Sequence, residues 1–340
     1  MMSDGNTGTE NSGCGIGSIN ADNHIPIISL DDPDQEKTVQ ALRTACKEVG
    51  FFYLQGHGIE PKTIESVMEQ SQRLFALSVS TKKLISDPTI SRGYTGMEEE
   101  TLNPAMQKKG DTKEGFYIGR DDPKYNPAKL SGPNCWPTTE TTPEMEDCDE
   151  FRKIMEAYFD QISHVGIRVV RLIALAIGLP EDFFDASFTE PMAALRLLHY
   201  AAEKSEPDEG IYACGSHSDY GMVTILLTDS NPGLQILTKQ GLWIAAPPVK
   251  DCFIVNLGDM LERWTNGMFK STKHRVLTAG DVERYSIPFF YEPNFDTRVE
   301  CLDMCCSADS NPAKYPPTTS GQHLLDKYKQ THADFSPTDN

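Results

Sequence analysis

The stretch HSDYGMVTILL, residues 217–227, decides how this chain is expected to fold. It begins with two potential metal ligands, His217 and Asp219, and continues into an apolar run that favours a buried strand. Side chains of an extended chain alternate between its two faces, so residues two apart point the same way. His217 and Asp219 can therefore share one metal ion where the chain enters a sheet.

Short strand-like runs separated by Gly, Pro and Asp turns surround this stretch. Many short strands with frequent turns predict a β-sandwich or barrel. The strands predicted after residue 190 are Ala194–Tyr200, Val223–Leu227, Leu234–Leu237, Leu242–Ala245, Phe253–Asn256, Ser271–Leu277 and Tyr285–Tyr291.

The N-terminal half has helical periodicity instead. Apolar residues recur at three- and four-residue steps over residues 61–77 and, most regularly, over residues 144–179, which predicts two amphipathic helices. Residues 86–144 have no such period and are interpreted as long loops of the kind that often bind ligands. A further helix is expected over residues 322–331.

We therefore expect one compact unit of the α+β class, mainly β, in which a helical N-terminal part supports a sandwich. Residues 1–24 are rich in small polar residues and cannot bury enough apolar surface to order themselves, so they are predicted to be a disordered tail. The other predicted parts are a helical and mixed region with substrate loops over 25–185, the β core over 186–300, and a C-terminal helix and tail over 301–340.

Composition narrows the expected partners and compartment. The net charge of −19 disfavours nucleic acids and anionic membranes, and no apolar run reaches the roughly 18 residues of a membrane span. The N-terminus lacks the pattern of a secretory signal. Nine cysteines without a CxxC pair favour a reduced, cytoplasmic protein. The acidic surface and the lack of a coiled-coil pattern favour a monomer.

A third metal ligand is expected from His274, which lies in or beside another short strand. Two imidazoles and one carboxylate on one face of an octahedron leave three positions open, an arrangement that suits Fe(II) oxygen chemistry. A His-x-Asp step alone is common by chance. The order of these residues inside a strand-rich half makes the pattern strong evidence for a metal site.

Arg284 and Ser286 are again two residues apart and share one face of a predicted strand. A guanidinium fork beside a hydroxyl binds a carboxylate through charge-assisted, bidentate hydrogen bonds. The face would then offer a metal site and, deeper, an anion clamp. A keto acid with two carboxylates fits both sites at once.

Further motifs lie around these residues, and together they are highly specific. They are Ile25-Pro26-Ile27-Ile28, Gly50-Phe51-Phe52-Tyr53, Gly56-His57-Gly58, Gly233-Leu234-Gln235, Asn256-Leu257-Gly258-Asp259, Asn266-Gly267 and Arg284-Tyr285-Ser286-Ile287-Pro288-Phe289-Phe290. With this set the chain resembles, over about residues 25–332, the 2-oxoglutarate/Fe(II)-dependent dioxygenases of the isopenicillin-N-synthase-like group found in plants and fungi.

The resemblance implies a double-stranded β-helix, or jelly-roll, core. It implies that His217, Asp219 and His274 bind iron and that Arg284 and Ser286 bind 2-oxoglutarate. Tyr200 matches a family tyrosine that helps to bind the same carboxylate. Many plant members have Asn-Tyr-Tyr-Pro where this chain has Leu198-His199-Tyr200-Ala201, so Leu198 replaces the asparagine of those members. His199 points to the other face and is expected to be structural.

The implied enzyme uses Fe(II), 2-oxoglutarate and O2, with support from ascorbate. It hydroxylates, demethylates or desaturates a small metabolite, as in secondary metabolism, and releases succinate and CO2. Phe290 matches a family position that often packs on the substrate, and Tyr94, Phe116 and Tyr117 are further candidates from the N-terminal loops. This aromatic set favours a small, flat or partly apolar metabolite.

Two other functions are compatible with these residues. An Fe(II) oxidase of the same fold can keep the Arg-x-Ser pair without using 2-oxoglutarate. A non-catalytic jelly roll that only binds a small molecule would be expected to have lost part of the ligand triad, and all three ligands are present here. A zinc hydrolase is disfavoured because nothing beside the triad resembles a general base.

Overall fold

A computed structural model describes residues 25–331, and the predicted N-terminal tail and residues 332–340 lie outside this range. The long helix predicted over residues 144–179 is present with slightly shorter bounds, and the predicted C-terminal helix begins two residues earlier than expected, at Ser320. The helices are α1 (Gln35–Glu48), α2 (Pro61–Phe75), α3 (Val79–Lys82), α4 (Cys148–Ile177), α5 (Asp259–Trp264) and α6 (Ser320–Thr331).

The strands are short, as the turn pattern predicts. Two of them, over residues 194–200 and 234–237, have the predicted bounds, and the other predicted strands shift by a few residues at their ends. In chain order the strands are β1 (Ile27–Ser29), β2 (Phe51–Gln55), β3 (Ser86–Asp87), β4 (Arg92–Thr95), β5 (Lys113–Gly119), β6 (Ala194–Tyr200), β7 (Cys214–His217), β8 (Val223–Thr228), β9 (Leu234–Leu237), β10 (Trp243–Ala245), β11 (Phe253–Leu257), β12 (His274–Val276), β13 (Arg284–Tyr291), β14 (Arg298–Val299) and β15 (Thr318–Thr319).

Two sheets share one apolar interior. The larger sheet has the order β1-β2-β11-β8-β13-β6-β5-β4-β3, and the smaller one has the order β10-β9-β12-β7. One core cluster combines Leu198 and Ile254 from the larger sheet with Ile236 and Val276 from the smaller sheet, so the sheets pack face to face. This is the predicted jelly-roll core within a mainly β, α+β protein.

The other face of the larger sheet is covered by helices, chiefly α4. Asp147 begins this helix, because its side chain accepts a hydrogen bond from the backbone N–H of Glu150. The ring of Phe159 on α4 meets the ring of Phe289 on β13 edge-on, at 5.4 Å between centroids. Helix and sheet thus form a second apolar layer, which supports the sandwich from outside.

The interpretation of residues 86–144 as loops was wrong for three segments, which form the strands β3, β4 and β5. β5 is an interior strand that pairs with β4 and β6, and every residue in it is buried. The strand was not predicted because it begins with two charged residues, Lys113 and Glu114. Both are buried in ion pairs, on opposite faces of the sheet. A charged pair at the start of a strand does not match the apolar pattern of a buried strand.

The larger sheet includes strands from both sides of the predicted boundary between residues 185 and 186. β5, from the N-terminal side of that boundary, pairs along seven positions with β6, from the other side.

Over residues 25–331 no helix is both long enough and apolar enough to cross a membrane.

The packing of α4 on the sheet predicts the effect of a larger residue at Gly166. A Cβ atom at this position would lie 2.8 Å from the ring of Tyr291, which is itself buried. Gly166→Val should therefore lower the free energy of unfolding by about 1–3 kcal/mol through overpacking. Urea denaturation would measure the change, with Gln161→Val on the exposed side of the same helix as the control. Equal stability of the two variants would contradict this packing.

Candidate active site

The three predicted metal ligands lie close together at strands β7 and β12 of the smaller sheet. His217 ends β7, Asp219 follows in the turn before β8, and His274 begins β12 directly opposite His217 in the β7–β12 pair. Each histidine Nε2 lies 3.6 Å from Oδ1 of Asp219. One ligand atom from each residue lies within 4.8 Å of the others, so the three side chains can hold one metal ion.

Backbone carbonyls orient both imidazoles. Nδ1 of His217 lies 2.8 Å from the carbonyl oxygen of Gly215, and Nδ1 of His274 lies 3.1 Å from that of Thr272. Because a carbonyl can only accept, each Nδ1 carries the proton and each Nε2 presents its lone pair to the centre. Burial, together with the nearby His217, lowers the pKa of His274 to about 4, so this imidazole is neutral at neutral pH.

The carboxylate of Asp219 is held from behind by two side chains. Oδ2 accepts hydrogen bonds from Oγ1 of Thr224 at 2.5 Å and from Nδ2 of Asn256 at 2.6 Å, which leaves Oδ1 to face the histidines. Burial opposes ionisation, but His274, His217 and these hydrogen bonds hold the pKa of Asp219 below its usual range. Neither partner was singled out from the sequence, although Asn256 lies in one of the family motifs.

The predicted anion clamp lies in the same cavity as the ligands. Arg284 on β13 is opposite Tyr200 on β6, its guanidinium lies 4.9 Å from the centre of the tyrosine ring, and Ser286 lines the same wall. Nε and Nη2 of Arg284 donate to the Asn231 carbonyl and the Thr228 hydroxyl. Nη1 is buried without a partner among the described residues. A buried N–H of a cation without a partner suits an incoming carboxylate.

A second chamber adjoins the first on the other side of the metal ligands. Phe290 lines both chambers, and Tyr117 lines the second one beside the guanidinium of Arg196, which lies 4.3 Å from the centre of its ring. Nη1 of Arg196 donates to Glu100 at 3.0 Å. Leu324, on helix α6, also lines the chamber. The sequence predicted the C-terminal helix, but it did not single out Arg196, Glu100 or Leu324 as residues of this chamber.

Tyr94 and Phe116 were expected to contact the substrate, but the structure places both away from the two chambers. The hydroxyl of Tyr94 donates to Glu114 at 2.7 Å, and the ring of Phe116 packs edge-on against Phe151 on α4. Residues alternate along β5, so Phe116 faces the helices while Tyr117 faces the sandwich interior. Neither Tyr94 nor Phe116 lines the chambers.

His199 has the structural role expected of it. Its Nδ1 lies 2.8 Å from Oε1 of Glu114, and its ring stacks on Tyr285 at 4.8 Å. It therefore belongs to the helix-covered face of the sheet and not to the metal site.

One buried carboxyl group next to the metal ligands was not anticipated. Glu292 lines the second chamber, and its Oε2 accepts a hydrogen bond from the backbone N–H of Met222, just after the turn that carries Asp219. Burial raises the pKa of Glu292 to about 8, and the carboxylates of Asp219 and Asp259 act in the same direction. A protonated acid therefore lies at this wall of the chamber at neutral pH.

Comparisons with known proteins agree with this geometry. The N-terminal region of the non-haem dioxygenases of morphine synthesis matches residues 25–139, and the 2OG-Fe(II) oxygenase superfamily matches residues 192–293. The 2-oxoglutarate-Fe(II) type oxidoreductase hxnY of Emericella nidulans is 36% identical over 316 residues, which cover 90% of this chain and 88% of that protein. Kihadalactone A synthase LFS of Citrus sinensis is 34% identical over 92% of this chain and 93% of its own length.

A solved structure has the same fold. Full-length Neurospora crassa T7H in complex with alpha-KG superposes with a TM-score of 0.79 and 32% identity, over 92% of this chain and 98% of that one. The chain belongs to the 2OG-Fe(II) oxygenase superfamily. It is a 2-oxoglutarate-dependent dioxygenase that uses Fe(II) and O2 to oxidise a small molecule, with release of succinate and CO2.

The raised pKa of Glu292 predicts a pH effect on stability. Between about pH 4.5 and pH 8 the folded protein keeps a proton that the unfolded chain releases, so this group contributes stability that is lost as the pH rises. Glu292→Gln is neutral throughout, so its unfolding free energy should fall less between about pH 5.5 and about pH 8 than that of the wild type. Urea denaturation of the chelator-treated proteins measures this, and parallel pH profiles would contradict the prediction.

Proposed function

We propose that His217, Asp219 and His274 hold the Fe(II) ion and that Arg284 and Ser286, with Tyr200, bind the distal carboxylate of 2-oxoglutarate. The observation that carries this proposal is one cavity lined by both sets of residues. Its donors suit the two groups, because Nε2, Nε2 and Oδ1 converge on one point and Nη1 of Arg284 still needs an acceptor.

When bound, iron and 2-oxoglutarate supply the oxidising chemistry of the family. The protein's part is to fix the ligands and to keep water out. The carbonyls of Gly215 and Thr272 hold both imidazoles in the tautomer that binds metal. Apolar side chains from both sheets, among them Phe51 and Leu234, wall the cavity and limit the access of water.

The proposed substrate is a small, flat metabolite that binds in the second chamber. Tyr117 and Phe290 supply aromatic walls, and Arg196 and Glu100 supply a hydrogen-bonding edge. A related structure of Neurospora crassa T7H contains thymine, a flat ring with donors and acceptors, in addition to alpha-KG. Hydroxylation of a C–H bond near the iron ligands is the proposed outcome.

The remaining proposals concern the whole molecule. We infer a monomer in the cytoplasm from the net charge of −19 and from the odd set of nine cysteines. The β core over 186–300, the supporting region over 25–185 and the C-terminal part over 301–340 remain our proposed division of the chain.

A metabolite-library screen tests the proposed function. Wild-type protein with Fe(II), ascorbate and 2-oxoglutarate should form succinate together with oxidised product for at least one flat metabolite. His217→Ala and Asp219→Ala should abolish this coupled reaction, whereas His164→Ala, on the exposed side of α4, should keep it. Substrate oxidation without CO2 release from labelled 2-oxoglutarate would point to a direct oxidase instead.

A conservative change at the clamp separates cosubstrate binding from metal binding. Arg284→Lys should weaken 2-oxoglutarate binding by about 10-fold or more, because a lysine cannot form the bidentate pair, while Fe(II) affinity stays unchanged. The matched control is Arg275→Lys on β12, whose guanidinium stacks on Trp243 and donates to Gln235 outside the cavity. Equal 2-oxoglutarate affinity in the two variants would remove Arg284 from the proposed site.

A further inference from the structure

A buried cluster of charges lies directly behind the metal site. Nζ of Lys113 pairs with the carboxylates of Asp111 and Glu100, and Glu100 also pairs with Arg196. All four residues are at most 5% exposed. Burial opposes the charge of Lys113, but the carboxylates of Asp111 and Glu100 outweigh it and hold the pKa of Lys113 well above its usual range.

The carboxylate of Asp111 is completely buried and uses both oxygens. Oδ2 pairs with Lys113. Oδ1 accepts from the backbone N–H of Gly215 at 2.8 Å and from Nε2 of Gln107 at 2.8 Å. The contact with Gly215 crosses from the segment before β5 to β7, the strand that ends in the ligand His217.

The backbone of Gly215 links Asp111 to the metal ligand His217. Its N–H is held by Asp111, and its carbonyl accepts from Nδ1 of His217 at 2.8 Å. The segment before β5 also packs directly on this residue, since a Cβ atom at position 215 would lie 2.1 Å from Oε1 of Gln107. The Gly215 carbonyl, which orients the imidazole of His217, is thus held in place by residues outside β7.

We propose that Asp111 is a positioning residue for the iron ligand His217, acting through the backbone of Gly215, and that Lys113 holds the Asp111 carboxylate in place. The proposal rests on the proposed function, because it needs a metal ion at the triad. An outer partner that fixes the ring and the tautomer of a ligating histidine raises metal affinity.

The same lysine also connects the substrate chamber to the ligand. Glu100 and Arg196 line that chamber, and Lys113 pairs with Glu100 on one side and with Asp111 on the other. Buried ion pairs contribute little net stability, because desolvation offsets most of their attraction. A positioning role gives a physical reason for burying two cations and two carboxylates at this place.

Co(II) binding to the full chain is the test, since this ion reports coordination by its visible spectrum. Asp111→Ala should bind Co(II) about 10-fold more weakly than the wild type and give an altered spectrum. Asp111→Asn, which keeps the volume, should show a smaller change in the same direction. Glu114→Gln is the matched control. Glu114 lies three residues after Asp111, is also buried, and pairs with Lys82 on the opposite face of β5.

The outcomes separate this proposal from the proposed function. If wild type and His217→Ala bind Co(II) equally, the triad is not the metal site and the proposed function fails. If His217→Ala loses affinity but a folded Asp111→Ala or Asp111→Asn variant matches Glu114→Gln in affinity and spectrum, the positioning role is overturned. If Asp111→Ala does not fold, as judged by circular dichroism, Asp111→Asn decides alone.

Discussion

The carboxylate of Asp219 lies between two imidazoles inside an apolar sandwich, and much of the surrounding structure serves to keep it there. A buried carboxylate costs free energy unless each of its oxygens has a partner. Thr224 and Asn256 satisfy one oxygen, and the other is left for the metal. These partners come from β8 and β11, which are neighbours in the larger sheet, while the histidines come from the smaller one. The site therefore exists only where the two sheets meet.

Strand β5 also contains buried charges that need partners. Its two charged residues point in opposite directions, and each is neutralised by a different set of partners. Lys113 joins the carboxylates behind the metal site, and Glu114 joins Lys82 and His199 under the helices. A strand covered on both faces can include such residues only when every charge is paired. The charges link the N-terminal segments to the β core on both sides of the sheet.

The second chamber combines segments that are far apart in the chain. Tyr117 comes from β5, Phe290 from β13, and Leu324 from α6. The proposed clamp for the distal carboxylate, by contrast, lies on neighbouring strands of one sheet. Tyr117 and Leu324 line the second chamber but not the cavity of the proposed clamp. Substitutions at these two positions can therefore change the walls of the proposed substrate chamber without changing the clamp.

By itself the sequence determined which residues are the candidate metal ligands and the proposed anion clamp, and it predicted most strands of the β core. The reason is local: alternation puts His217 with Asp219, and Arg284 with Ser286, on the same face, and short apolar runs between turns mark the strands. Only the tertiary structure decided that Tyr94 and Phe116 face the helices, that β5 is an interior strand, and that Asp111 contacts Gly215. These features depend on pairing between distant segments, and the sequence does not distinguish a buried charged residue from an exposed one.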